Sequence, residues 1–134
     1  VQLAPSHEFR QERAQAFFER LQGEAEIVCE PRHESWFTEE VGDLLQAWKI
    51  GRVAADPSPA QGAGRPGGWQ GVIYYRLHGS PRMYYDRYSE EELGEYAEDL
   101  RSFSADQAVW CMFDNTARGA GTPNALYLWD ILQS

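Results

Sequence analysis

Polar residues of catalytic type gather just after short apolar runs. Glu30, Arg32 and His33 follow Ile27 to Cys29, and Asp56 follows Val53 to Ala55. Arg76 and His78 end the run opened by Val72, while Asp114 and Asn115 follow Ala108 to Phe113. Such a set suits proton transfer on an anionic or phosphorylated substrate: a carboxylate or imidazole moves the proton, and guanidinium groups hold the charge through bidentate hydrogen bonds. In this reading Glu30 or His78 transfers the proton and Asp56 orients it. Arg32 and Arg76 bind the anion, with His33, Asp114 and Asn115 as further contacts. If the apolar runs are strands, alternation puts Arg76 and His78 on one face and does the same for Glu30 and Arg32. Two arginines, a carboxylate and an imidazole then share one cleft.

Other chemistries find less support. Glu30, His33, Asp56, His78 and Asp114 are residue types that bind zinc or manganese, but no HExxH or comparable spacing joins them. Ion pairing of Glu30 and Asp56 with Arg32 and Arg76 accounts for the same residues, so no metal site is assigned and the cofactor stays unknown. No GxGxxG follows any run, and no nucleophile elbow is present. The segment SPRMYYDRY interleaves Arg82 and Arg87 with Tyr84, Tyr85 and Tyr88. Mixtures of this kind bind phosphates and stack on bases or sugars, and they also order a loop by stacking Arg on Tyr. Arg87 and Tyr88 are taken as substrate contacts.

Four amphipathic segments supply the framework, each with apolar residues at helical spacing. They carry Ala14, Phe17, Phe18 and Leu21; Val41, Leu44, Leu45 and Trp48; Leu93, Tyr96, Ala97 and Leu100; and Ala125, Leu128, Trp129 and Leu132. Gly23 closes the first, and Glu39 and Glu40 favour the N-terminus of the second. Ser89 with Glu92 makes a capping box for the third, and Thr122 with Pro123 reads as N-cap and first turn of the fourth. Between them, Val1 to Ala4, Ile27 to Cys29, Val53 to Ala55, Val72 to Tyr75 and Ala108 to Phe113 read as strands, apolar on both faces as in a parallel sheet with helical crossovers. The stretch PSPAQGAGRPGGW, from Pro57 to Trp69, is too rich in Gly and Pro for a helix and reads as a mobile loop, with Trp69 a candidate lid. Trp36, Trp48 and Trp129 read as packing residues. Periodicity alone leaves two architectures: part of a (βα) barrel, or a small doubly wound domain of five strands.

At 134 residues, with 43% hydrophobic side chains, the chain has the material for one domain with a real core. Its 12 basic and 21 acidic residues give a net charge of −9, which disfavours broad nucleic-acid binding, because that needs a basic surface to displace counterions. No run is long and apolar enough for a membrane span, and no secretory leader opens the chain. Cys29 and Cys111 have neither metal nor disulfide spacing and read as reduced thiols of a cytoplasmic protein. Val1 stands where an initiator Met is expected, consistent with a piece of something longer.

The blocks CEPRHESWF, VAADP, YYRLHG, RYSEEEL and FDNTARGAGTPNAL together resemble, in order and spacing, the later blocks of the YecE-like proteins, domain-of-unknown-function family 72. That resemblance implies a TIM-type barrel of about twice this length, of which residues 1–134 form the C-terminal half as a single domain of five parallel strands and four helices. It places family positions on Glu30, Arg32, His33, Ser35 and Trp36, on Arg76, His78 and Gly79, on Arg87, Tyr88 and Ser89, on Phe113, Asp114 and Asn115, and on Asn124. It names no reaction. The function expected is a ligand-binding or catalytic site at the carboxyl ends of the strands, the alternative being a non-catalytic metabolite-binding or interaction module. Half of a barrel would also self-associate or pair with its other half.

Overall fold

In the computed structural model, which describes residues 1–23 and 25–134, the four apolar helical patterns become α1 (Gln11–Glu19), α2 (Glu39–Ala47), α3 (Glu90–Arg101) and α4 (Gly121–Gln133). The start of α2 is capped by Thr38, whose Oγ1 accepts from the Val41 N–H at 3.3 Å. Ser89 and Glu92 form the expected reciprocal box at α3, with the Ser89 N–H donating to Glu92 Oε2 at 2.7 Å. Thr122 is not the cap of α4. The Gly121 N–H already donates to the Asn115 carbonyl, and the Asn124 N–H to the Ala120 carbonyl, so helical bonding begins before Thr122. Among the described residues no helix is long and apolar enough to cross a membrane.

The strands are β1 (Ile27–Cys29), β2 (Ile50–Arg52), β3 (Ala54–Asp56), β4 (Gly67–Gly68), β5 (Val72–Leu77) and β6 (Ala108–Phe113). Parallel pairing joins β1 to β2, β3 to β5 and β5 to β6. The stretch expected as one strand at Val53 to Ala55 runs from Ile50 to Asp56 and changes partner at Val53, whose N–H reaches back to the Cys29 carbonyl at 2.9 Å. Its first part therefore pairs with β1 and its second with β5. Val1 to Ala4 makes only one parallel bridge, Gln2 to Glu30, rather than a full strand. Parallel neighbours follow the order of the chain, and among the described residues no early strand is inserted between later ones as a doubly wound sheet requires.

Gly67 and Gly68 lie antiparallel to β2, so the Gly- and Pro-rich stretch is docked on the sheet. The Ala55 N–H donates to the Ala63 carbonyl at 3.0 Å, and Ala63 is fully buried. Small residues permit this fit: at Gly68 a Cβ would stand 2.5 Å from the Ile50 carbonyl oxygen. Trp69 packs on Gly71, before β5 begins, and is no lid over the carboxyl ends.

The strands form two three-stranded sheets, β1-β2-β4 and β3-β5-β6, and an apolar cluster packs helices on each. Phe18, Trp36, Leu45 and Ile50 join α1 and α2 to β1 and β2, and Ile73, Tyr75, Leu77, Leu93 and Leu128 join α3 and α4 to β5. Each such side chain contributes about 2 kcal/mol when fully buried. The other side of β5 and β6 is polar or bare: Tyr74 and Arg76 are half-buried, Trp110 is 55% exposed and Met112 45%. Trp129 was expected in packing, yet it stands 62% exposed on α4 beside Leu126, because that helix meets the core through Leu128.

Candidate functional site

Glu30 is the centre of the cluster. It follows β1 and is buried, with its side chain only 4% exposed. Arg76, on β5, donates from Nη1 to Glu30 Oε2 at 2.6 Å and to Gln2 Oε1 at 3.2 Å, and from Nη2 to Asp114 Oδ2. His78 Nε2 lies 3.3 Å from Glu30 Oε1, and Arg32 Nη2 lies 3.5 Å from the same oxygen. Strand alternation carries Arg76 and His78 to one face, as expected, and the sequential order of the strands brings Glu30 and Asp114 alongside.

Burial alone would raise the Glu30 carboxyl, but the hydrogen bonds from His78 and Arg76, together with the Arg76 charge, hold it below the usual glutamate range. An ionised Glu30 accepts, so His78 donates from Nε2. Its Nδ1 is then a bare, buried nitrogen with no hydrogen-bond partner among the described residues. Asp114 Oδ2 comes within 3.1 Å of that nitrogen without hydrogen-bond geometry.

Two cavities meet at Glu30. One, of about 340 Å³, lies at the rim between Pro5, Arg32, Ala55, Pro57, His78 and Met83. The other, of about 330 Å³, lies on the bare sheet face between Gln2, Val28, Val53, Tyr74, Arg76 and Met112. Glu30 lines both, His78 lines the first, and Arg76 and Asp114 line the second.

The sequence pattern of the family described as "Protein of unknown function DUF72" matches residues 1–134. The chain belongs to the DUF72 family. A DUF72 family protein of Thermotoga maritima, known from its crystal structure, is similar with a TM-score of 0.81 and 25% identity over 99% of this chain and 56% of its own. Another, from Enterococcus faecalis, gives a TM-score of 0.80 at 18% identity over 100% of this chain and 60% of its own. The chain thus spans between half and two thirds of these relatives. No curated protein matches it.

The remaining predicted residues of the DUF72 chain are not gathered at Glu30. Asp56 accepts from the Tyr88 hydroxyl at 2.6 Å, and that hydroxyl also accepts from the Gly79 N–H at 2.9 Å. Only the Asp56 carbonyl reaches the cluster, through the His78 N–H at 2.7 Å. Asn115 is fully buried and donates to the Asp86 carbonyl and to Asn124 Oδ1, both at 3.0 Å, while Asn124 binds the Tyr88 backbone on both sides. These two amides join the loop after β5 to the start of α4. Gly79 makes that junction possible, since it sits at φ +94° and a Cβ there would stand 2.8 Å from the Asp86 carbonyl. His33 caps the short 3-10 turn Glu34–Trp36, its Nδ1 accepting from the Ser35 N–H at 3.3 Å. Arg87 is exposed.

Gln2 and Met83 are site residues that sequence reasoning did not select; neither type announces chemistry, and only proximity reveals them. Burial of both thiols pushes Cys29 and Cys111 up to about 12, so neither supplies a thiolate at neutral pH. Among the described residues no group of three or more His, Cys, Asp or Glu is placed to hold a metal ion. Tyr88→Phe removes one buried hydroxyl that serves both Asp56 and Gly79, and is expected to cost about 1–3 kcal/mol of stability. Denaturant midpoints check this, and an unchanged midpoint would show the junction to be held by the amides alone.

Proposed function

We propose that the Glu30 cluster is a ligand-binding and proton-transfer site for an anionic, phosphorylated substrate entering at the carboxyl ends of the strands. The observation that carries this reading is the buried His78 Nδ1, left bare on an imidazole whose other nitrogen is oriented by Glu30. An imidazole that lines a cavity is placed to accept a proton, and the carboxylate oriented at its other nitrogen fixes the tautomer. Arg76 is occupied by two carboxylates and positions them. Anion binding therefore rests on Arg32, whose single contact is long and which lines the rim cavity. Asp56 acts through the chain, by holding the His78 N–H.

The sequential parallel strands, and relatives of greater length that match over the whole chain, support a further reading of the sheet as an arc of a TIM-type barrel. Its bare face and the free edge of β6 are what closure by more strands would cover.

Product formation over many turnovers, assayed on a panel of phosphate monoesters, phosphodiesters and sugar phosphates, tests the catalytic reading. A loss of about 100-fold or more in His78→Gln and Glu30→Gln, with the fold retained, is expected. Saturable binding with no turnover across the panel would instead establish the non-catalytic metabolite-binding module.

A further inference from the structure

Two arginines from different loops converge on one tyrosine ring. The Arg82 guanidinium lies 3.9 Å from the centre of the Tyr85 ring, and Arg118 approaches the same ring at 5.7 Å. The first belongs to the loop after β5 and the second to the loop after β6. A direct bond holds these loops together, the Ala117 N–H donating to the Tyr84 carbonyl at 3.0 Å. Tyr84 itself adopts a left-handed backbone at φ +69°, a costly conformation for a bulky residue. Its ring meets the His78 imidazole edge-on at 5.6 Å, and its neighbour Met83 lines the rim cavity with Glu30 and Arg32.

Stacking of Arg82 on Tyr85 orders its own loop and by itself would need no ligand. It does not account for the second cation. Among the described residues neither Arg82 nor Arg118 forms an ion pair, in a chain with 21 acidic and 12 basic residues. Asp86, an acid of the same loop, accepts from the backbone N–H of Arg82 at 2.9 Å. Like charges drawn to one ring repel, and an anion between them relieves that repulsion. Guanidinium groups match phosphate oxygens with paired N–H donors, and the ring beneath limits the rotamer freedom lost on binding.

We infer that Arg82 and Arg118, gathered on Tyr85, form a phosphate subsite for the ligand whose other end reaches Glu30 and His78. This rests on the proposed function for the ligand's second end, but the subsite stands or falls by itself. Its ligand chemistry is that of a phosphate monoester, a compact dianion with three free oxygens.

The test is an NMR chemical-shift titration of the full chain with inorganic phosphate at constant ionic strength. Saturable shifts at Arg82, Tyr85 and Arg118 are expected, with Kd rising about tenfold in Arg82→Gln and in Arg118→Gln and changing little in Arg13→Ala, an exposed position on α1. Both arginines are exposed, and coincident melting curves establish that the variants remain folded. Tyr85→Leu leaves both charges in place and is expected to weaken binding as well. Shifts that rise linearly without saturating, or binding abolished by Arg32→Ala and indifferent to Arg82→Gln and Arg118→Gln, would overturn the subsite. In those cases turnover dependent on His78 and Glu30 would still uphold the proposed function; phosphate held by Arg82 and Arg118 with no turnover would uphold the subsite alone.

Discussion

Glu30→Gln is expected to lower the unfolding free energy at pH 7 by about 2–4 kcal/mol, the larger of the stability effects argued for this chain. The carboxylate is almost fully buried and answers two guanidiniums and an imidazole. An amide of the same shape removes the charge and turns an NH2 toward donors. Removing one partner of a buried ion pair costs about 3–5 kcal/mol, and the lower figure here reflects that Arg76 is about a quarter exposed and keeps Asp114. The pH dependence has a definite sign. Because Glu30 in the folded chain lies below its ordinary value of 4.5, its contribution is fully present above that pH and is lost as pH falls through the lower, folded value. The difference between wild type and variant is thus flat near neutrality and closes only below pH 4.5. Urea titrations across that range check it. A difference below about 0.5 kcal/mol at pH 7 would show that Asp114 alone satisfies Arg76, and one that persists undiminished in strong acid would assign the effect to packing.

The free edge of β6 yields the second large effect. β6 pairs with β5 on one side, and among the described residues no strand pairs with the other. Trp110, Met112, Leu126 and Trp129 are all exposed along this side of the molecule. A cavity of about 470 Å³ between α3, α4 and β6 is lined by Leu100, Val109, Phe113, Leu128, Trp129 and Leu132. Unpaired backbone groups next to bare apolar surface favour association, so the chain by itself is expected to form dimers or larger species. Trp110→Glu and Trp129→Glu place a charge in that contact and are expected to raise the dissociation constant about 100-fold. Sedimentation velocity over a roughly hundredfold concentration range decides the matter by mass action. A monodisperse wild-type monomer with a cooperative melt would show the edge to be self-sufficient and would count against the barrel-arc reading.

Helix positions, the capping box at Ser89 and the strands at Ile27 to Cys29 and Ala108 to Phe113 were legible because they rest on local pattern: apolar period, cap chemistry and continuous apolar runs. The start of α4 was not, since the Gly121 N–H finds its acceptor at Asn115, outside the helix. Nor was the division of residues 50–56 between two partners, which follows from where β1 stops and β5 begins pairing. Gly67–Gly68 carries no strand signal at all; it pairs with β2 because side chains too small to obstruct let the backbone approach.

For the site, alternation and chain order were enough to bring Glu30, Arg76 and His78 to one edge, because residue parity decides the face and a sequential parallel sheet aligns the strand ends. The roles within that edge are tertiary. Arg76 is saturated by Glu30 and Asp114, Asp56 turns to Tyr88, Asn115 is spent on a buried amide junction, and Arg118 reaches the Tyr85 ring from another loop. Side-chain direction beyond a strand end depends on loop geometry, and the pairing of charges depends on which neighbours the packed loops bring into contact. No spacing along the chain encodes either, so the residue types present were set by the sequence while their partners were set by the packing of the loops.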